Sequence, residues 1–128
     1  MSYHISKIVK GDFEETLQKV VENLKDVGFG VITEIDMKEK LKEKLDVDFK
    51  NYVILGACNP SFAHKALLAE DKIGTMLPCN IIVQEGEDGK VEVAAINPVA
   101  SMQAIENDSL GEIASTVQSK LKQVIENV

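Results

Sequence analysis

Two long apolar stripes at helical spacing, one near each end of the chain, do most to restrict the fold. In the first, Phe13, Leu17, Val20, Val21, Leu24 and Val27 recur three or four residues apart, which puts them on one side of a helix. Asp12 stands at its N-cap, Glu15 occupies the capping-box position, and Gly28 closes it. In the second, Leu110, Ile113, Ala114, Val117, Leu121, Val124 and Ile125 share one side behind a cap at Asp108 or Ser109. Each stripe needs an apolar surface to cover it. The short β-rich runs at residues 3–9, 29–35, 52–57, 81–84 and 90–96 supply that surface. The last two flank Glu-Gly-Glu-Asp-Gly, whose Asp88-Gly89 pair marks a hairpin turn.

Two minor helical segments complete the reading. Asp36 with Glu39 opens Met-Lys-Glu-Lys-Leu-Lys-Glu-Lys-Leu, where Met37, Leu41 and Leu45 make only a thin stripe. A turn or two of helix is expected within residues 98–105, after Asn97-Pro98 ends the last strand. The element order is then β-α-β-(α)-β-(α)-β-β-α. Two long helices over one face of a largely antiparallel five-stranded sheet make an α+β two-layer sandwich. At 128 residues, without repeat or linker, residues 1–128 form a single domain. A doubly wound sheet would need more regular alternation. No G-x-G-x-x-G or P-loop pattern occurs, so nucleotide cofactors held in those two ways are not expected, and no other cofactor is implied.

Residues 52–80 concentrate the chemistry: both cysteines (Cys58 and Cys79), one of the two histidines (His64) and two of the three prolines. A buried strand over residues 52–57 meets Asn59-Pro60, where Asn is a preferred N-cap and Pro suits the first helical position. The helix that follows carries Phe62, Ala63, Ala66, Leu67 and Leu68 on its apolar side, and Gly74 lies beyond its end. Leu77-Pro78 leads into the next strand. Cys58 thus precedes a helix N-terminus, where free N–H groups and the helix dipole favour an anion and lower a thiol pKa.

Four readings follow. The first is a binding module for a small polar or anionic ligand, held at the strand ends by Cys58, Asn59, Thr75, Cys79 and Asn80. The second is a thiol enzyme or redox protein with Cys58 as nucleophile, His64 as base one helical turn beyond Pro60, and Cys79 as resolving thiol. The third is a soft-metal site at Cys58, His64 and Cys79, with His4, Met76 or water as fourth ligand; the Cys-x20-Cys spacing matches no zinc ribbon or thioredoxin motif, so no metal is assigned. The fourth treats the thiols as core and places function in a protein interface. Asn59, Asn80 and Asn97 all stand at element ends, where Asn also serves as a plain cap.

Charge and terminal sequence narrow the partners. With 14 basic against 21 acidic residues the net charge is −7, and the lysines of residues 38–44 alternate with glutamates. Nucleic acid and anionic membranes, which demand clustered cations, are not expected as partners. No apolar N-terminal run suggests a leader or a membrane span, and two cysteines without one point to a cytoplasmic, reducing environment. A homodimer is expected, because an open sheet needs its free edge or face covered.

Gly56-Ala-Cys-Asn-Pro60, followed by Leu77-Pro-Cys-Asn80, resembles the bacterial and archaeal family called domain of unknown function 302. The resemblance extends to Gly-Phe-Gly-Val-Ile-Thr-Glu-Ile-Asp (residues 28–36) and to the hairpin ending at Asn97-Pro98, where the family has Asp-Pro and Asn97 departs from it. It implies a compact α+β domain similar in shape to the TATA-binding-protein-like sandwiches, with no established activity. Some branches carry Gly-Asn-Pro and Leu-Pro-Leu at these places, so thiol chemistry would belong to this branch at most.

Overall fold

The computed structural model describes residues 1–128. Its order is β1 (His4–Val9), α1 (Phe13–Asp26), β2 (Gly30–Asp36), α2 (Met37–Leu45), β3 (Tyr52–Cys58), α3 (Pro60–Ala69), a 3-10 turn (Asp71–Met76), β4 (Cys79–Glu85), β5 (Val91–Ile96), α4 (Pro98–Ser101) and α5 (Asp108–Glu126). The strands lie in the order β1-β5-β4-β3-β2 and every neighbouring pair is antiparallel. This is the α+β sandwich that the two stripes require.

The core forms where the stripes meet alternate strand positions. Val53, Leu55 and Ala57 of β3, Cys79, Ile81 and Val83 of β4, and Val91, Val93 and Ala95 of β5 are all buried and pack with Val20 and Leu24 of α1 and Val117, Leu121 and Ile125 of α5. A strand's side chains alternate between faces, so the residues between these point to the sheet's other side. There Ile54, Ile82 and Ala94 are only half-buried.

The helix ends follow their sequence signals. Asp12 accepts a hydrogen bond from the Glu15 amide at 3.2 Å. At the other end of α1, the Phe29 amide donates to Leu24 and the Gly28 amide to Lys25, a Schellman motif with Gly28 at φ +87°. Leu24 and Phe29 then enter the same core. Asp36 caps α2 through the Glu39 amide at 3.0 Å, and α2 buries no residue, as its thin stripe led one to expect.

Two local expectations are corrected, and one further element was not foreseen. The cap of α5 is Asn107, one residue before Asp108: its Oδ1 accepts from the Ser109 amide at 3.0 Å, and its Nδ2 donates to the Ala69 carbonyl at 2.7 Å, tying α5 to the end of α3. Gly74 lies inside a 3-10 turn that no periodicity announced, and Ile73 of that turn is buried. Leu67 and Leu68 are exposed, Leu68 by 75 %. Successive helical residues are 100° apart, so the side that turns Phe62, Ala63 and Ala66 inward turns Leu68 to solvent.

Candidate functional site

The thiol-bearing ends of β3 and β4 lie side by side. Ala57 pairs with Cys79, so the last residue of β3, Cys58, lies diagonally across from the first residue of β4. Both cysteines are free thiols. Both line one partly open cavity of about 250 Å³ between the top of the sheet, α3, α4 and α5. Thirteen of its sixteen lining residues are hydrophobic. Besides the thiols, the only polar side chain in the wall is Asn59.

Small residues make the space. Ala63 and Ala66 on α3 and Ala114 on α5 all line the cavity, with Ala57 below. Where neighbouring elements present methyl groups, larger side chains around them (Phe29, Phe62, Met102 and Val117) form a wall without filling the middle. The backbone beneath is fixed by Gly56: a Cβ there would meet Pro78 Cγ at 2.8 Å and Thr33 Oγ1 closer still. The peptide bond before Pro78 is cis.

Asn59 has one half of its amide committed. Its Oδ1 accepts from the Phe62 amide at 3.4 Å and caps α3, whereas its Nδ2 makes no hydrogen bond within the chain. That leaves a donor free at the rim of an otherwise apolar wall, beside Gly28. At the same side, Lys65 and Lys120 place their ammonium groups 5.5 and 6.0 Å from the Phe62 ring centroid.

The helix start is a poor anion site, contrary to the expectation drawn from sequence. Pro60 has no amide proton, the Phe62 amide is capped by Asn59 Oδ1, and the Ala63 amide donates to the Asn59 carbonyl at 2.9 Å. Of the first four helical residues, only Ser61 keeps a free N–H.

Of the residues named from sequence, Cys58, Asn59 and Cys79 line the cavity and Thr75, Asn80 and His64 do not. Cys79 belongs to the helix-covered face, so strand alternation sends Asn80 to the other face, where it is exposed. Thr75 is exposed in the 3-10 turn, and its hydroxyl donates to the Lys72 carbonyl at 2.9 Å. His64 shares the exposed stripe of α3 with Pro60, four residues earlier. No group of three His, Cys, Asp or Glu side chains converges as a metal-holding cluster, so Cys58, His64 and Cys79 do not form one. Burial, reinforced by the neighbouring Cys58 charge, pushes the Cys79 thiol from 9.0 up to about 11, which keeps it protonated at neutral pH and unsuited to a resolving role.

Asn97 is structural. It is buried, its Oδ1 accepts from the amides of Val99 and Ala100 and from Gln118 Nε2 at 3.0 Å, and its Nδ2 donates to the Ser2 carbonyl. The residues that sequence reading missed are the apolar walls, Phe29, Phe62, Leu77, Met102, Ile113 and Val117. Their signal was available only in part: the alanines on the inward sides of both helices foretell a gap once the helices are known to face each other.

The fold and this cavity define an α+β sandwich with one uncovered sheet face and an apolar hollow at the strand ends. The chain belongs to the family described as domain of unknown function DUF302, whose model matches residues 5–128. It is similar to an uncharacterised conserved DUF302 protein of Bacillus stearothermophilus, known from a crystal structure. The two are 30 % identical with a TM-score of 0.92, covering 99 % of this chain and 98 % of that one. No curated protein matches the chain. No helix is long and apolar enough to cross a membrane.

Proposed function

We propose that the protein is a binding module for a compact apolar molecule carrying one oxygen acceptor, held in the cavity between α3, α4, α5 and the sheet. The observation that carries this reading is the wall: an apolar cavity of about 250 Å³ with a single uncommitted amide donor. An apolar cavity of about 150 Å³ stays dry and takes up benzene, so by proportion this one suits about ten non-hydrogen atoms. The Asn59 Nδ2 group then orients the ligand by donating to its carbonyl or carboxylate oxygen. The thiols contribute polarisable wall rather than chemistry, in keeping with a reducing, cytoplasmic setting.

Emptiness has a cost that occupancy offsets. Apolar walls facing an unfilled hollow forgo the dispersion contacts that filling atoms would supply. A bound apolar molecule recovers part of that.

The test is a calorimetric titration with acetophenone and with α-methylstyrene, its near-isostere without the oxygen, on the wild type and on Asn59→Asp. The substitution keeps the Oδ1 cap and removes the free donor. Wild type binds both, the ketone more tightly. Asn59→Asp weakens the ketone about tenfold, the scale of one hydrogen bond of about 1.4 kcal/mol, and leaves the hydrocarbon unchanged. Binding of neither compound by the wild type overturns the proposal.

A further inference from the structure

The sheet face that no long helix covers is the second feature of the fold that lacks an explanation. Its central row crosses all five strands: Ser6 pairs with Ala94, Ala94 with Ile82, Ile82 with Ile54, and Ile54 with Ile35. On either side lie His4, Ile96, Asn80 and Thr33 in one row, and Ile8, Glu92, Gln84 and Tyr52 in the other. The chain is 27 % charged, yet these three rows hold one acid and no Lys or Arg. That acid, Glu92, accepts a hydrogen bond from Gln84 Nε2 at 2.8 Å. Loss of charge from the centre of a patch, with tyrosine and aliphatic side chains in its place, is the compositional mark of an interface.

We infer that this face is the contact surface of a two-fold homodimer, the uncovered sides of two sheets packing on each other. A second copy is the occupant for three reasons. The first is area. Five strands about 4.8 Å apart, each with six residues rising about 3.3 Å, present about 500 Å² in projection. A pair therefore buries about 1,000 Å² before side-chain relief is counted, which reaches the threshold for a specific interface.

The second reason is that the face is complementary to itself, as a two-fold contact requires. Ile8 projects from its β1 side, 62 % exposed. A recess of about 340 Å³ lies in the same face, walled by Tyr52, Ile82, Gln84 and Ala94 among others. A projection and a recess on one surface fill each other when a copy is turned by a half-rotation.

The third reason is that features at the sheet's edges disfavour pairing there. On β2 the register shifts between Val31 and Thr33, and Glu34 and Asp36 follow. On β1 the Lys7 ammonium lies on the carbonyls of Glu126 and Val128, at 3.0 and 2.9 Å. A bulge and charges blunt edge-to-edge association, which leaves the face as the surface for a second copy. Each copy carries −7 and the contact itself is almost uncharged. Salt that screens the long-range repulsion therefore tightens the dimer.

Sedimentation equilibrium of the whole chain between about 1 and 100 µM decides the question. The expected mass is twice the 14.1 kDa of one chain, with dissociation shifting to lower concentration as salt rises. Ile82→Glu, at the middle of the central row, should sediment as a monomer with unchanged circular dichroism. Ile8→Lys, at an exposed position that the isolated fold does not need, should weaken the dimer at least tenfold and serves if the first variant does not fold. A wild type that is monomeric at 100 µM, or a folded Ile82→Glu that remains dimeric, overturns the proposal.

Discussion

Filling the cavity should stabilise the protein, and the gain follows from the structure. Ala114 on α5 is buried and lines the hollow. Replacing it by leucine adds three carbon atoms to a space of about 250 Å³ without leaving the helix-forming residues. At about 0.8 kcal/mol per buried methylene the transfer is worth about 2.4 kcal/mol, and ordering the new side chain returns about 0.5–1 kcal/mol of it. The net is about 1.5 kcal/mol. Unfolding entropy near 2.1 cal/mol/K per residue over 128 residues converts this into a rise in Tm of about 6 °C. Differential scanning calorimetry of Ala114→Leu against the wild type reads it directly, and urea titration should show a higher midpoint at unchanged slope. The same variant should lose the binding of acetophenone. A loss of about 1–3 kcal/mol instead is the signature of overpacking, and would mean that the wall has no room to receive three carbons.

Three further outcomes are expected. Gly56→Ala should destabilise by about 1–3 kcal/mol in chemical denaturation, because its new Cβ must displace Pro78 and Thr33. Asn107→Ala removes both the cap of α5 and the bond to the Ala69 carbonyl; a cost of about 1–2 kcal/mol is expected, and a loss below about 0.3 kcal/mol would show that neither contact matters. The raised Cys79 pKa makes stability fall in alkali: the folded state holds its proton up to about pH 11 while the unfolded thiol releases it from about pH 9. Stability is thus full below pH 9 and is lost between pH 9 and 11, by about 2 kcal/mol relative to Cys79→Ala, whose denaturation should lack this component.

How much of this was legible in the sequence differs from element to element. For α1 everything was local: the stripe, the Asp12 cap and the Gly28 stop each follow from near neighbours, and the structure places them as read. The 3-10 turn had no such signal, because its one buried residue, Ile73, is held by contacts with Ala66 and Leu110 that come from elsewhere in the chain. At the site, Cys58, Asn59 and Cys79 were found because they mark element ends. Asn80 was misassigned by neglect of strand alternation: a residue adjacent to an inward thiol must face outward. His64 was misassigned because one turn beyond an exposed Pro60 is again exposed. The apolar character of the hollow was the largest omission. It depends on the alanines of α3 meeting that of α5, and no single segment records that meeting.

The most direct test of binding is where it occurs. Methyl-labelled protein titrated with acetophenone and followed by ¹H–¹³C NMR should show saturable shifts at Met102, Ile113 and Val117, with Val83 and Val91, deep in the same core but outside the cavity, unmoved. Shifts confined to the uncovered sheet face at Ile54 and Ile82, or none at all at millimolar ligand, would contradict a binding site between the helices and the strand ends.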